Sequence, residues 1–329
     1  AEGILMADVP LGIRIIDLEK SRVIRALPNL VRYLRAERPD VMLSALDHVN
    51  ILAVLARFIS GVMTRVVVSV HVPPSSGYCK DKSIYGIFFL MLMKWSYIKA
   101  SAVVGVSKGV RNDIMQVFQI DAHNLSYIYN PIINQKLKKM GSDKINHRWF
   151  RSQKVPVIIA VGWLAIEKDY PTLIRAFRLV RNERPAKLLI LGEGEERTNL
   201  QALIALLELT DDVELAGFVS NPFAFMMKSE IFILSSKHEG FGNVVVEALA
   251  LGCCVIGTDC HGGPKEILQD GMFGLMVPVG NIDAMAKALM SKLDKKPIVN
   301  KALLENHLKQ FEISTVTEKY LELFSKVSR

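Results

Sequence analysis

Short apolar runs alternate with amphipathic stretches through the second half of the chain. Residues 155–164, VPVIIAVGWL, form an unbroken apolar run, the pattern of a parallel strand covered on both faces. Residues 170–184 continue with helical spacing through Leu173, Phe177 and Val180. AKLLILGEG predicts a second strand and 199–209 a second helix; DVELAGFV, EIFILSS and CCVIGTD predict three more strands, separated by helices. Residues 274–278 predict a last strand and 281–293 a further helix. This alternation predicts a doubly wound parallel sheet. The first half repeats it less completely. GIRIIDL, DVMLSAL, TRVVVSVH and ASAVVGVS are its strand candidates, with helices such as 24–36 between them. Residues 136–154 are polar, basic and without period, as suits an interdomain linker. Beyond residue 310 a final amphipathic helix carries Val316, Tyr320, Leu323 and Phe324.

Composition sharpens this picture in three places. A chain of 329 residues, half of them hydrophobic, can bury two cores. Residues 1–150 hold 20 Lys+Arg against 11 Asp+Glu, and the remainder 21 against 22, so the whole basic excess lies in the first half. Such a face suits an anionic partner, whether phospholipid, nucleic acid or an acidic substrate; a solvated helix surface is the plainer alternative. Cys79, Cys253, Cys254 and Cys260 make no C-x-x-C pair and no His-spaced cluster, which argues against zinc and for a reduced, cytosolic protein.

Residues 83–93, SIYGIFFLMLM, are uncharged and are succeeded by Lys94, Trp95, Tyr97 and Lys99. The run is too short to span a bilayer. It suits either a segment dipping into the membrane interface or a buried core helix. Lys20, Arg22, Arg25, Arg32, Arg35 and Arg38, in one early helical region, would meet anionic headgroups in the first case and water in the second.

Parallel α/β sheets bind ligands beyond the carboxyl ends of their strands. EIFILSS ends at Ser236, and a loop carrying Glu239, Gly240, Phe241 and Gly242 leads through Asn243 into a helix at 244–251 that carries Glu247. Glycines let a backbone approach an anion, and free N–H groups at a helix start point toward it. Glu247 can accept two hydrogen bonds from a ribose diol, and Glu239 can face a second polyol. The plainer reading is a glutamate offsetting the helix dipole beside a surface glutamate. Other strand ends add Gly162, Trp163 and Lys168, then Gly262, Gly263 and Pro264, and in the first half His71 and Ser107-Lys108-Gly109. A dinucleotide-type reading of Gly192-Glu-Gly194 fails, because Arg197 takes the third glycine position and glutamates crowd the helix start.

VGWLAIEKDYPTLIRAF, LLILGEGEER, VELAGFVSNP and SSKHEGFGNVVVEALALGCCVIGTDCHGGPKEIL, in that order, resemble the donor half of retaining glycosyltransferases of family 4, which have the two-Rossmann GT-B fold. VVVSVH, AVVGVSKGV and YIYNPI extend the likeness, more weakly, over the first half. The resemblance implies an α/β protein of two Rossmann-like parallel-sheet domains facing across a cleft. An acceptor-side domain would span 1–135, a linker 136–154 and a donor domain 155–310, with a helix at 311–329 packing back toward the first domain. It implies that Glu247 holds the nucleotide ribose, Glu239 stands at the transferred sugar and reacting centre, and Lys168 binds the leaving diphosphate. His71 would face the donor sugar across the cleft. The backbone of Gly240, Phe241, Gly242 and Asn243 would contact sugar and diphosphate, with Gly162, Trp163 and Gly263 bordering the same site.

The resemblance further implies a transferase using a nucleotide sugar, expected to be UDP-linked, on a glycan or lipid-linked acceptor in bacterial surface polysaccharide or glycan synthesis. Retention of configuration, no cofactor and no nucleic-acid partner are expected. No D-x-D occurs, so no metal is expected either. The expected location is the cytoplasm, at the inner face of the plasma membrane. A non-catalytic nucleotide-sugar binder or an inactive fragment and, ranked below them, a nucleotide-sugar epimerase are the rival readings. Two departures stand out. Family members commonly carry arginine after the glycine where this chain has Gly162-Trp163-Leu164, a loss worth roughly 1.5–3 kcal/mol at a phosphate. The family's opening strand and glycine loop are not visible, so an N-terminally incomplete sequence is expected.

Overall fold

The computed structural model describes residues 9–10, 12–18, 22–76, 79, 83–120, 122–151, 155–295 and 300–329. In the first half, α1 (Leu27–Glu37) precedes β1 (Val41–Ala45), α2 (Asp47–Ser60), β2 (Arg65–Val70), α3 (Ile84–Lys99), β3 (Ala102–Gly105), α4 (Lys108–Phe118) and β4 (Leu125–Tyr127). The four strands form one parallel sheet in chain order, β1-β2-β3-β4. The run RVVVSV in β2 is apolar almost throughout because both of its faces are covered. Val66, Val68 and Val70 pack in the cluster that holds Met93, Tyr97 and Ile114 of the crossover helices. Val67 faces the other way, onto Val316 of the last helix of the chain.

Two short helices, α5 (Gln135–Gly141) and α6 (Arg148–Arg151), lead to the second unit. It runs β5 (Val157–Val161), α7 (Tyr170–Glu183), β6 (Lys187–Leu191), α8 (Arg197–Leu206), β7 (Val213–Gly217), α9 (Pro222–Lys228), β8 (Ile231–Leu234), α10 (Asn243–Ala250), β9 (Cys254–Thr258), α11 (Pro264–Ile267), β10 (Leu275–Val277) and α12 (Ile282–Asp294). The parallel sheet is ordered β10-β9-β8-β5-β6-β7. Its core divides by alternation: Ile158, Leu188 and Ile231 face the α7 and α12 side, whereas Ile159, Leu189 and Phe232 face the α10 side. The chain moves outward from β5 in one direction and then restarts beside it at β8. That reversal makes the gap between β5 and β8 the switch point where such sheets hold ligands.

After α13 (Lys301–Leu308), helix α14 (Ile313–Ser328) returns to the first sheet, where Val316 is buried against Val67, Ala102, Val104 and Ile128. The fold class is the expected one, two α/β units each built on a parallel sheet.

Two local expectations fail. GIRIIDL forms no strand; Ile13, Ile15 and Ile16 are exposed, and no described strand lies against them to supply a ladder. The polar stretch after residue 135 is partly helical. Asn134 caps α5 by accepting from the Leu137 N–H at 2.9 Å, and Gly141 lies against Leu251 and Met227 of the second unit. A helix this short, capped by Asn134 and packed on α9 of the second unit, leaves no period to read. Residues 152–154, the end of that stretch, lie outside the described residues.

Candidate active site

The loops after β5 and β8 meet at the switch point. The Gly162 N–H donates to the Leu191 carbonyl and the Leu164 N–H to that of Glu193, which seats the first loop against the end of β6. The loop then makes a tight turn at Ile166–Lys168, and the Ser235 hydroxyl donates to the Lys168 carbonyl at 2.6 Å. Thus the backbone carrying the lysine is tied to the strand that carries the glutamate. The Lys168 Nζ sits 2.6 Å from Glu239 Oε1, and the Ser236 hydroxyl donates to the same oxygen at 2.7 Å. Both side chains are mostly buried, at 21% and 12% exposure, so each charge depends on the other for compensation.

Glu247, one turn into α10, is in a different state. Its carboxylate has no hydrogen-bond or ion-pair partner among the described residues, and burial pushes its pKa up from 4.5 to about 7. Helix α10 starts after Gly242, whose φ of 92° favours glycine, and no side chain caps its first N–H groups. A half-buried acid with no partner among the described residues and a helix start without a side-chain cap suit a ligand that brings hydroxyls and an anion.

His71 stands across the seam from these groups. Its Nε2 is 3.1 Å from the Ser69 hydroxyl, and burial lowers its pKa against the opposing pull of Asp47, so the neutral imidazole predominates at pH 7. The backbone contact there is very close: a Cβ on Gly240 would lie 1.7 Å from the His71 carbonyl oxygen. Likewise a Cβ on Gly262, where φ is +124°, would lie 1.8 Å from the Glu239 carbonyl oxygen, and one on Gly263 2.3 Å from that of Phe241. Three glycines of the site are therefore required by the approach of protein backbone to protein backbone.

Other chosen residues serve the seam. Phe241 is buried, stacked on Tyr129 at 5.2 Å and packed on Phe311 at 5.5 Å. Asn243 accepts from the Asn130 amide at 2.8 Å. Trp163 is 60% exposed, and its indole N–H donates to Glu195 at 2.8 Å. Sequence reading missed the groups that close the two units. Glu266 accepts from the N–H groups of Lys108 and Gly109, at 3.0 and 2.6 Å, and from the Tyr129 hydroxyl at 3.1 Å. Ser107 donates to the Gly240 carbonyl, and His261 Nε2 lies 3.1 Å from the buried Asp113. Only the polar start of α4, Ser107-Lys108-Gly109, signalled any of this.

Family profiles cover both units: "Glycosyl transferases group 1" matches residues 142–309 and "Glycosyltransferase Family 4" residues 4–135. The chain belongs to the family 4 glycosyltransferases. It is 35% identical, over 263 residues, to the N-acetylgalactosamine-N,N'-diacetylbacillosaminyl-diphospho-undecaprenol 4-alpha-N-acetylgalactosaminyltransferase of Campylobacter jejuni, covering 78% of this chain and 69% of that one. It is 32% identical over 173 residues to the lipopolysaccharide core biosynthesis glycosyltransferase LpsE of Rhizobium meliloti, covering 52% of this chain and 50% of that one. The crystal structure of Anabaena Alr3699/HepE in complex with UDP superposes with a TM-score of 0.76 at 19% identity, over 92% of this chain and 82% of that one. That likeness gives the glycosyltransferase its GT-B fold. In this glycosyltransferase Lys168 and Glu239 are paired, the backbone of His71 lies against Gly240 of the same loop, and Glu247 stands one turn into the helix that follows.

Proposed function

We propose that this glycosyltransferase moves a sugar from a nucleotide-sugar donor, UDP-linked, to a lipid-linked or glycan acceptor in the synthesis of bacterial surface polysaccharide or glycan. The observation carrying the proposal is the Lys168–Glu239 pair at the switch point, 2.6 Å apart and mostly buried. Without ligand the two charges satisfy each other. A nucleotide sugar replaces that pairing with two: Lys168 turns to the diphosphate, and Glu239, still held by Ser236, accepts from sugar hydroxyls. Glu247 takes the ribose diol as an ionised acceptor. Breaking the bond from the anomeric carbon to the diphosphate puts positive charge on the sugar and negative charge on the leaving group. Lys168 and the open start of α10 stabilise the latter, and the neutral His71 lies beside the former. In this proposal the acceptor attacks on the face the diphosphate leaves, the departing phosphate takes the acceptor proton, configuration is retained and no metal takes part.

Contact with an anionic membrane belongs to the same proposal. It is supported by the first two turns of α3, where Ile84, Tyr85, Phe88 and Met91 are 78%, 83%, 60% and 65% exposed in the basic half of the chain. Co-sedimentation with anionic liposomes at low salt tests it, and failure to sediment removes it. Trp163, whose N–H is taken by Glu195, favours one second reading, a protein that binds nucleotide sugar without transferring it. Incubation with UDP-sugars and a bacterial lipid extract, read as UDP release and by proton NMR of the new anomeric centre, separates the two. Release of UDP with an axial-type anomeric signal from an axial donor supports retaining transfer; tight binding without release supports the second reading.

A further inference from the structure

The ring of His71 rests on a buried serine. Val67 of β2 lies on the side of the sheet covered by Val316 and Tyr320 of α14, and the two-residue period of a strand puts Ser69 on that side too. Ser69 is 3% exposed, and a hydroxyl buried that far needs partners. Its backbone is pinned. The Asn50 side-chain amide donates to the Ser69 carbonyl at 2.9 Å, and the Ser44 hydroxyl donates to Asn50 Oδ1 at 2.7 Å. The Ser69 hydroxyl serves two rings: His71 Nε2 lies 3.1 Å away, and the half-buried Tyr320 shares a hydrogen bond with it from α14.

Counting protons along this row decides its direction. The serine and the phenol have one proton each to give, and a neutral imidazole has one N–H and one bare nitrogen. If both rings donated to Ser69, its own buried proton would be stranded. If His71 donated to Ser69 and Ser69 to Tyr320, the phenol proton would have no acceptor among the described residues. Only one direction gives every proton a place: Tyr320 donates to Ser69, and Ser69 donates to Nε2. The imidazole, neutral because burial lowers its pKa, then carries its own proton on Nδ1.

We infer that Ser69 and Tyr320 are positioning residues for His71, holding its imidazole as the Nδ1–H tautomer so that the nitrogen left free by Ser69 donates a hydrogen bond and cannot take a proton. The last helix thereby reaches the site through Tyr320, which no motif around His71 contains. The tautomer stands on the geometry of the first unit alone. Its part in transfer rests on the donor reading above: the Nδ1–H donates to an oxygen of the bound sugar, and the acceptor's proton goes to the departing phosphate instead of to His71.

The test uses the full chain with nitrogen-15 in its histidines, read by long-range proton–nitrogen correlation at pH 8, with His71→Gln identifying the His71 signals. A protonated Nδ1 and a bare Nε2 are expected in the parent and in Ser69→Thr, which keeps the hydroxyl. In Ser69→Ala and in Tyr320→Phe the two tautomers are expected to mix. Should Ser69→Ala fail to fold, Tyr320→Phe, which keeps the ring, decides. UDP release from a UDP-sugar is expected to fall about tenfold in kcat in both variants, with Ser69→Thr near the parent and the thermal shift with UDP unchanged throughout. A proton on Nε2 in the parent overturns the inference. So does a His71 spectrum that neither variant alters, even if kcat falls, because the two residues would then be structural only. An altered spectrum with unaltered kcat overturns the part in transfer. Absence of the UDP shift in the parent protein overturns the donor reading itself, while the spectra still decide the tautomer.

Discussion

Replacing Glu247 by glutamine should make the protein more stable and less able to bind nucleotide. Burial raises this carboxyl from 4.5 to about 7, and no partner among the described residues offsets the cost. Between those values the folded state holds a proton that the unfolded state releases. The favourable contribution is therefore complete below about pH 4.5 and is lost as pH rises through 7. The shift corresponds to about 3 kcal/mol at pH 8, of which about 2.5 kcal/mol develops between pH 5 and pH 8. Glutamine removes the charge but keeps a polar amide in the same unpartnered place, which costs on the order of 1–2 kcal/mol. The net expectation for Glu247→Gln at pH 8 is a gain of about 1–2 kcal/mol, or roughly 1.5–3 °C in Tm, shrinking to nothing or reversing at pH 5. The amide cannot accept both hydroxyls of a ribose diol as a carboxylate does, so nucleotide affinity should fall about 10–100-fold. Melting curves at pH 5, 6, 7 and 8, with titration calorimetry against UDP at pH 8, give both readouts. A difference from the parent that does not vary with pH refutes the burial argument, and unchanged UDP affinity refutes the ribose assignment.

The same geometry sets four further outcomes. Lys168→Met removes the leaving-group cation and strands Glu239, so turnover should fall by about 1.5–3 kcal/mol in the barrier, roughly 10–150-fold; steady-state UDP release checks it. Gly240→Ala sets a Cβ against the His71 carbonyl, so the two units cannot close as they do here. Small-angle scattering should show a larger radius of gyration, and an unchanged radius would count against the seam. Glu266→Ala leaves two α4 N–H groups and the Tyr129 hydroxyl without their shared acceptor. A loss of about 1–3 kcal/mol is expected in denaturant titration, with the first unit melting separately from the second. Trp163→Arg places a cation beside the proposed diphosphate position and should tighten UDP binding; weaker binding by calorimetry would show that the indole itself contacts the ligand.

Much of this was legible because it is local. The strands of the second sheet announce themselves as unbroken apolar runs, since both faces of a parallel sheet are covered, and the Glu239–Glu247 spacing places one acid in a loop and the other in the next helix. GIRIIDL misled for the same reason in reverse: apolar content suggests a strand, but only a neighbouring strand makes one. The glycines of the site illustrate a different limit. Their freedom to approach an anion was readable, whereas the object against Gly240, the His71 carbonyl, is 169 residues away in the chain and belongs to the other unit. Glu266, Asp113 and Tyr129 went unnoticed because their partners lie across that seam and no spacing joins them. The state of Glu247 is a property of burial, which no motif expresses.

The most direct test of the donor cleft is the thermal shift of the protein with UDP, GDP and ADP in EDTA, run beside Glu247→Ala. At 100 times its dissociation constant a ligand stabilises by about 2.7 kcal/mol. The account predicts a shift with UDP, absent in Glu247→Ala while that variant's unliganded melting curve stays cooperative. No shift with any of the three, or one that survives in Glu247→Ala undiminished, contradicts it.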